Sequence, residues 1–332
     1  MIGPVIVAAA HAGPYKTLRP VAYELGIAHW MLDGTAASAA LTDKVSFTRP
    51  HDLLRKHKHW GGWLKNIRPS AVLRGTSELP DKTNPEAQLA KAAAKLGIPV
   101  YALEDFPGNY GGPNETLAGL FVEFESLKAH HAARGLDAAK IHAFGNPRYA
   151  SQGRRYDRAG ARKQYRLEHG PAVLWAGQPD GEFCRKTLAV IVPVLRALGA
   201  TLLFKAHPRD ESWGGGGYTD DLAGLPVVDL TESRDAGAAI AAADLVVTQF
   251  SSVAVEAGAL GVPALFTLLP GAGADYLAAR AGLTSLPWSE LGAAFLLEKP
   301  EAAAETLERA LRDRDARRAA LEKMKAHFDS CR

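Results

Sequence analysis

Two hydroxyls stand side by side at Ser251 and Ser252, just after the apolar run Leu245–Val247 and just before Val253–Leu260, which Gly261 and Pro263 bring to a stop. The run reads as a buried parallel strand and the following segment as a helix. Ser251 and Ser252 then fall at or beside the N-cap, where free backbone N–H groups and the helix dipole favour an anionic ligand. A serine that merely caps its helix is the plain alternative. Some 45 residues earlier a second strand candidate, Thr201–Phe204, ends in Lys205-Ala-His207-Pro208-Arg209. Ligands of open parallel sheets bind at that carboxyl edge. Pro208 fixes its own φ and biases His207 toward an extended backbone, holding the imidazole in one orientation. A basic edge and a hydroxyl-bearing edge in one α/β half make a pocket for a nucleotide phosphate.

The same segments resemble the His-Pro and Ser-Ser motifs of bacterial GT-B glycosyltransferases that use CMP-activated sugars, the sialyltransferases and Kdo transferases. They are similar also to the capsule and teichoic-acid glycerophosphotransferases. The resemblance covers the C-terminal half well and the N-terminal half only in its strand and helix rhythm. It implies that His207, Ser251 and Ser252 hold the nucleotide phosphate, with an inter-lobe cleft as the site and a CMP-linked sugar, a nonulosonic acid or Kdo, as donor.

Sugar transfer needs a base for the acceptor hydroxyl and stabilisation of the departing phosphate. For the base, the strand candidate Val100–Leu103 ends in Glu104-Asp105-Phe106-Pro107-Gly108. The CMP-sugar transferases place an acidic pair closely before Gly, and here Phe106 and Pro107 intervene. Asp105 is the first choice and Glu104 the second, against a turn-capping role. His11, at the end of the first strand, competes as base or acceptor-orienting group. Arg74-Gly-Thr-Ser77 ends another strand and could line the acceptor side. On the nucleotide side, Gly177 and Gln178 close a strand and could approach through backbone atoms. Gln249 and Phe250 flank the serines, and Glu256 lies one helical turn past Ser252, in reach of ribose hydroxyls in related folds. No Asp-x-Asp pair accompanies these residues. Lys205, His207, Arg209 and the helix dipole would balance the phosphate charge, so neither a metal nor a cofactor is expected beyond the nucleotide-sugar co-substrate.

Positioning these edges takes two α/β lobes, and 332 residues accommodate them. Apolar runs alternate with helical patterns from Pro4 to Phe144, including a helix punctuated by Asn84, Pro85 and Gly97. An arginine-rich stretch follows, and a second series starts at Ala172. The expected organisation is an acceptor-side Rossmann-like domain (1–150), a linker (151–170), a nucleotide-binding Rossmann-like domain (171–305) and a C-terminal helix (306–332) returning to the first lobe. The fold class is α/β, GT-B, with doubly wound lobes and parallel sheets. The glycine run between Trp213 and Tyr218 reads as a surface loop or a flap over the ligand.

Hydrophobic residues at 47%, charged residues at 23% and a formal net charge of +3 are globular values that do not demand nucleic acid. Cys184 and Cys331 sit in no metal-ligand spacing, which fits a reducing cytoplasm. The N-terminus reads as a strand rather than a signal peptide. Basic residues surround two tryptophans within 51–68, as in a peripheral foot on the inner membrane face, or as in an ordinary amphipathic helix. The partners expected are the donor and a glycan, protein or lipid-linked acceptor. Two other enzyme readings stay open, a CDP-glycerol-type phosphotransferase and a UDP-N-acetylglucosamine 2-epimerase. The epimerases place Ser-Gly-Gly where this chain has Ser251-Ser252-Val253. A protein that binds the ligand without turning it over is the third class.

Overall fold

A computed structural model describes residues 3–26, 28–77, 83–112, 116–150, 156–167, 169–213, 217–233 and 236–330. The chain divides into two compact units, one running to Ser151 and the other spanning Gln152–Asp329. Each unit is built on a six-stranded parallel sheet.

In the first unit β1 (Val5–Ala9), β2 (Ala28–Leu32), β3 (Ala71–Arg74), β4 (Val100–Leu103), β5 (Gly119–Val122) and β6 (Ile141–Ala143) lie in the order β2-β1-β3-β4-β5-β6. Its helices are α1 (Ala12–Leu25), α2 (Gly34–Thr42), α3 (Pro50–His57), α4 (Trp60–Ile67), α5 (Pro85–Lys95), α6 (Ser126–Ala133) and α7 (Pro147–Ala150). The second unit opens with α8 (Arg158–Gln164) and holds β7 (Ala172–Ala176), β8 (Thr201–Lys205), β9 (Val227–Asp229), β10 (Leu245–Thr248), β11 (Ala264–Thr267) and β12 (Phe295–Leu297). Their order is β12-β11-β10-β7-β8-β9. Its remaining helices are α9 (Gly181–Ala197), α10 (Ala236–Ala242), α11 (Val253–Ala259), α12 (Gly273–Ala281), α13 (Pro287–Glu290), α14 (Ala303–Arg312) and α15 (Arg314–Ser330).

Helices cover both faces of each sheet, so the central strands carry unbroken apolar runs: β1, β7 and β10 are buried at every position. Capping follows the sequence closely where polar residues precede a helix. Asn84 accepts from Glu86 N at 2.9 Å and Ala87 N at 3.3 Å at the start of α5, and Asp180 does the same for α9.

Three expectations change. The arginine-rich stretch 151–170 contains α8, whose Arg158 and Arg162 donate to the carbonyls of Ala241, Ala242 and Ala243 at the end of α10 and to the Asp244 carboxylate. Those carbonyls have no partner within their own helix, so the arginines are structural rather than linker-like. Residues 151–155 of the stretch lie outside the described ones. The basic segment 51–68 is two helices, because Lys58 takes a positive φ of 65° and His59 Nδ1 then caps α4 by accepting from Gly62 N at 2.9 Å. Trp60 and Trp63 are buried in the core with Leu53, Leu64 and Leu89. The tryptophans are therefore withdrawn from any bilayer, and that part of the membrane reading is dropped; no described helix is long and apolar enough to cross a membrane. The charged C-terminal segment breaks at Asp313, whose carboxylate accepts from Asp315 N and Ala316 N and starts α15 afresh. Within the second unit, Arg317 of α15 donates to Asp244 O, and Met324 packs against Gly258 of α11.

Candidate functional site

Strand order changes direction between β1 and β3 in the first sheet and between β7 and β10 in the second. Such switch points open a crevice at the carboxyl ends of the strands. His11 follows β1 and Thr76 follows β3, with Asp105 beyond the neighbouring β4. Gly177 follows β7 and the serines follow β10, with His207 beyond the neighbouring β8. The candidate residues gather at the carboxyl edge of each sheet.

In the first unit the edge is organised around Asp105. Its Oδ1 accepts from Thr76 Oγ1 at 2.7 Å and from Asn109 Nδ2 at 2.8 Å. Its Oδ2 approaches the first turn of α1 so closely that a Cβ on Gly13 would lie 2.4 Å from it. A side chain at position 13 would therefore force the Asp105 carboxylate to move. Withdrawal from water pushes the Asp105 carboxyl above the usual carboxylate range, while the two hydrogen bonds and the positive fields of Arg148 and His11 oppose that rise. His11 is the N-cap residue of α1, half-buried, with its backbone N–H donating to Ser77 Oγ at 2.9 Å.

Glu104 behaves differently. It is buried, and its Oε1 meets His131 Nε2 of α6 at 2.8 Å and accepts from Tyr110 N at 3.2 Å. Burial raises its carboxyl, with His131 pulling it back. The adjacent acids therefore diverge: Glu104 faces the interior and fastens the 104–110 loop, and Asp105 remains at the edge. Arg134 adds a second fastening by donating to Gly108 O at 2.8 Å. A third acid, Glu86 of α5, lies wholly buried under the edge and accepts from Ala10 N at 2.7 Å, with Arg74 Nη2 3.8 Å away. Burial raises this carboxyl also. Gly13 and Asn109 stand in ordinary helix-start and turn positions, and Glu86, Arg148 and His131 give no local signal, since each stands in a helical context far along the chain from the group it serves.

In the second unit the strand ends are level, with Ala176 paired to Lys205 on one side and to Thr248 on the other. His207 Nδ1 accepts from Arg209 N at 3.1 Å. A neutral ring that accepts at Nδ1 carries its proton at Nε2, so His207 presents a donor. Pro208 and Arg209 are exposed. Lys205 is committed elsewhere: its ammonium donates to Leu230 O at 3.1 Å and to Ser233 O. Burial holds its pKa below the ordinary lysine value. Ser251 and Ser252 are half-buried, and Ser251 makes the capping-type bond, accepting from Val253 N at 3.3 Å. Ser252 makes no capping bond of its own.

The flanking residues serve the fold more than the edge. Gln249 is fully buried and donates to Phe183 O at 2.9 Å and Thr187 Oγ1 at 3.0 Å. Phe250 is buried against Tyr276, with ring centroids 5.0 Å apart. Gln178 is buried beside Cys184, its backbone N–H pointing at Sγ. Gly177 donates to Lys205 O at 2.9 Å, and Glu256 is half-buried in the first turn of α11. Of the glycine loop, 214–216 lies outside the described residues; Trp213 and Tyr218 at its ends both pack on Phe204.

No protein-family model matches the chain, and no curated protein matches it. Solved structures do. A UDP-GlcNAc 2-epimerase from Neisseria meningitidis bound to UDP-GlcNAc is 11% identical with a TM-score of 0.67, over 99% of this chain and 97% of that one. MurG of Acinetobacter baumannii is 18% identical with a TM-score of 0.59, over 97% and 95%. A glycosyltransferase from Rickettsia africae is 13% identical with a TM-score of 0.64, over 99% and 93%. At these identities the likeness is one of fold: two parallel six-stranded sheets clad in helices, the GT-B arrangement expected from the sequence.

Proposed function

We propose that this chain is a metal-independent glycosyltransferase that takes its sugar from a nucleotide-activated donor. Asp105 acts as the base, and His207, Ser251 and Ser252 hold the departing phosphate. The observation that carries the reading is the anchoring of Asp105. One carboxylate oxygen is fixed by Thr76 and Asn109, and the other is left at the edge beside Gly13. A carboxyl raised toward neutrality by burial, yet held in one rotamer, suits proton abstraction from an acceptor hydroxyl.

The donors of this edge favour a monophosphate leaving group over a diphosphate. With Lys205 committed to Leu230 O and Ser233 O, the His-Pro segment brings His207 and Arg209 to that edge among the described residues. Two donors and a short helix match one phosphate better than two. This agrees with the CMP-sugar resemblance of the His-Pro and Ser-Ser motifs. A second reading, sugar epimerisation, is supported by the fold likeness to UDP-GlcNAc 2-epimerases.

A thermal-shift panel of CMP, CDP, UDP, GDP and ADP against wild type and His207→Ala tests the phosphate site. Stabilisation by cytidine nucleotides that disappears in the variant supports the reading. A response confined to UDP would shift the assignment to epimerase or UDP-sugar transferase, and conversion of UDP-GlcNAc at C2, followed by proton NMR, would establish the former. With a donor in hand, Asp105→Asn should keep nucleotide binding and lose transfer.

A further inference from the structure

Beneath the edge that carries His11, Thr76 and Asp105 lies a buried ionic pair that the transfer chemistry does not touch. Glu86 stands in the first turn of α5, where Asn84 caps the helix by accepting from Glu86 N, and its side chain is wholly buried. Arg74, the last residue of β3, is buried too, with Nη2 3.8 Å from Glu86 Oε2. Desolvation offsets most of the attraction within such a pair, so its value lies in what it holds in place.

It holds three chain segments. Glu86 Oε1 accepts from Ala10 N at 2.7 Å, just past β1, and Oε2 accepts from Ser77 N at 3.4 Å, just past β3. Ser77 completes the junction: its Oγ accepts from Ala10 N at 3.1 Å and from His11 N at 2.9 Å, and its O–H turns to the Glu86 carboxylate. Arg74 reaches the third segment. Its Nε donates to Gly75 O at 3.0 Å, and its guanidinium lies 5.9 Å from the ring centre of Tyr110, whose N–H closes the 104–110 loop on Glu104. Each of these partners of the Glu86 carboxylate is a donor, which suits the ionised form; a neutral carboxyl would turn an O–H against one of them. Arg74 and Ser77, offered by the sequence as acceptor-side residues, are buried in this junction instead.

We propose that Glu86, braced by Arg74, is the positioning residue of the first-unit edge. It joins the ends of β1 and β3 on either side of the switch point. In doing so it fixes the backbone that presents His11, and it fixes Thr76, the immediate neighbour of Ser77, which in turn donates to Asp105. The consequence for turnover rests on the transfer reading; the consequence for the edge does not.

Amide hydrogen exchange on the full chain, without substrate, reads the junction directly. Glu86→Gln keeps the volume but leaves a single acceptor oxygen, which serves either Ala10 N or Ser77 N, so exchange at the other should speed up by about threefold or more relative to Val7 on β1. Ser77→Ala removes the acceptor of His11 N, and exchange there should speed up by about tenfold or more on the same scale. Leu89→Ala, a buried core residue of the same helix, is the control for lost stability alone and should leave all three amides unchanged relative to Val7. With a donor in hand, Glu86→Gln should lower kcat by about tenfold or more while nucleotide stabilisation by the second unit persists, as displacement of reacting groups requires. Leu89→Ala should keep its kcat at a temperature where it is folded. Wild-type exchange at both Ala10 and Ser77 in Glu86→Gln, an equal acceleration in Leu89→Ala, or a wild-type kcat in Glu86→Gln would overturn the proposal and leave Glu86 a packing residue. Accelerated exchange in Glu86→Gln together with full transfer by Asp105→Asn would keep the junction and remove the transfer reading.

Discussion

Removing a single hydroxyl tests whether Asp105 is tuned by the contacts seen at its carboxylate. Thr76→Val keeps the volume of the side chain and deletes the donor 2.7 Å from Oδ1. A hydrogen bond to a charged group contributes about 1.5–3 kcal/mol, and about 1.4 kcal/mol corresponds to one pH unit. Asp105 is half-buried and Asn109 still donates to the same oxygen, so the lower end applies and the pKa should rise by about one unit. The direction is fixed by the chemistry: the donors stabilise the carboxylate, and burial already holds the group above its ordinary value. Asp105 therefore keeps its proton to higher pH in the variant. A raised carboxyl also makes folding less favourable as pH rises from the ordinary value through the folded one. The pKa can be read without a substrate, from the carbonyl-carbon shifts of protein labelled with carbon-13 aspartate, with Asp105→Asn identifying the resonance. Once a donor is known, the acidic limb of the kcat/KM profile should move by the same amount. A Thr76→Val pKa within about 0.3 unit of wild type, or a downward shift, would show that the Thr76 contact does not stabilise the carboxylate, and the anchoring argument for Asp105 as base would fall with it.

Three further outcomes follow from the packing. Gly13→Ala should lower transfer strongly while leaving nucleotide stabilisation by the second unit intact, because its Cβ would come within 2.4 Å of Asp105 Oδ2; unaltered transfer would show that Oδ2 has no function where it lies. His131→Ala should cost about 3–5 kcal/mol in urea unfolding, since it strips the buried Glu104 carboxyl of its ring partner, and Glu104→Gln in the same chain should recover part of that loss; a change below about 1 kcal/mol would mean the pair contributes little. Gly258→Ala should destabilise by about 1–3 kcal/mol through crowding of Met324, whose Cγ would lie 2.5 Å from the new Cβ, and Met324→Ala, itself costly because Met324 is buried, should cost less in that background than in wild type if α15 is seated there as described.

The two sheets were legible because parallel strands buried on both faces write themselves as short apolar runs, as at Val5–Ala9, Ala172–Ala176 and Leu245–Thr248. Polar residues just past those runs were legible for the same reason, since strand ends of one sheet share one edge. Segments whose polarity serves the interior were not. Arg158 and Arg162 look like linker residues until the carbonyls of α10 appear beside them. Trp60 and Trp63 look like a membrane foot until the break at Lys58 turns their faces inward. Partners far apart in sequence, such as Glu104 with His131 or Ala10 with Glu86, carry no local pattern at all.

That distinction bears on the acid pair. Sequence places Glu104 and Asp105 together at one strand end, with Asp105 ahead of Glu104, and their separation depends on which neighbour each one reaches across the sheet. Glu104 continues the inward side of β4, meets a histidine from α6 and closes its loop onto Tyr110 N. Asp105, one residue on, alternates to the other side and meets Thr76, which follows β3. The first acid makes the loop rigid, and the second inherits that rigidity at the sheet edge. A base needs both a raised pKa and a fixed position. The loop 104–110 supplies the position through Glu104, Arg134 and Asn109, so loosening it by way of Glu104 should degrade transfer by misplacing Asp105 while the carboxylate of Asp105 itself is untouched.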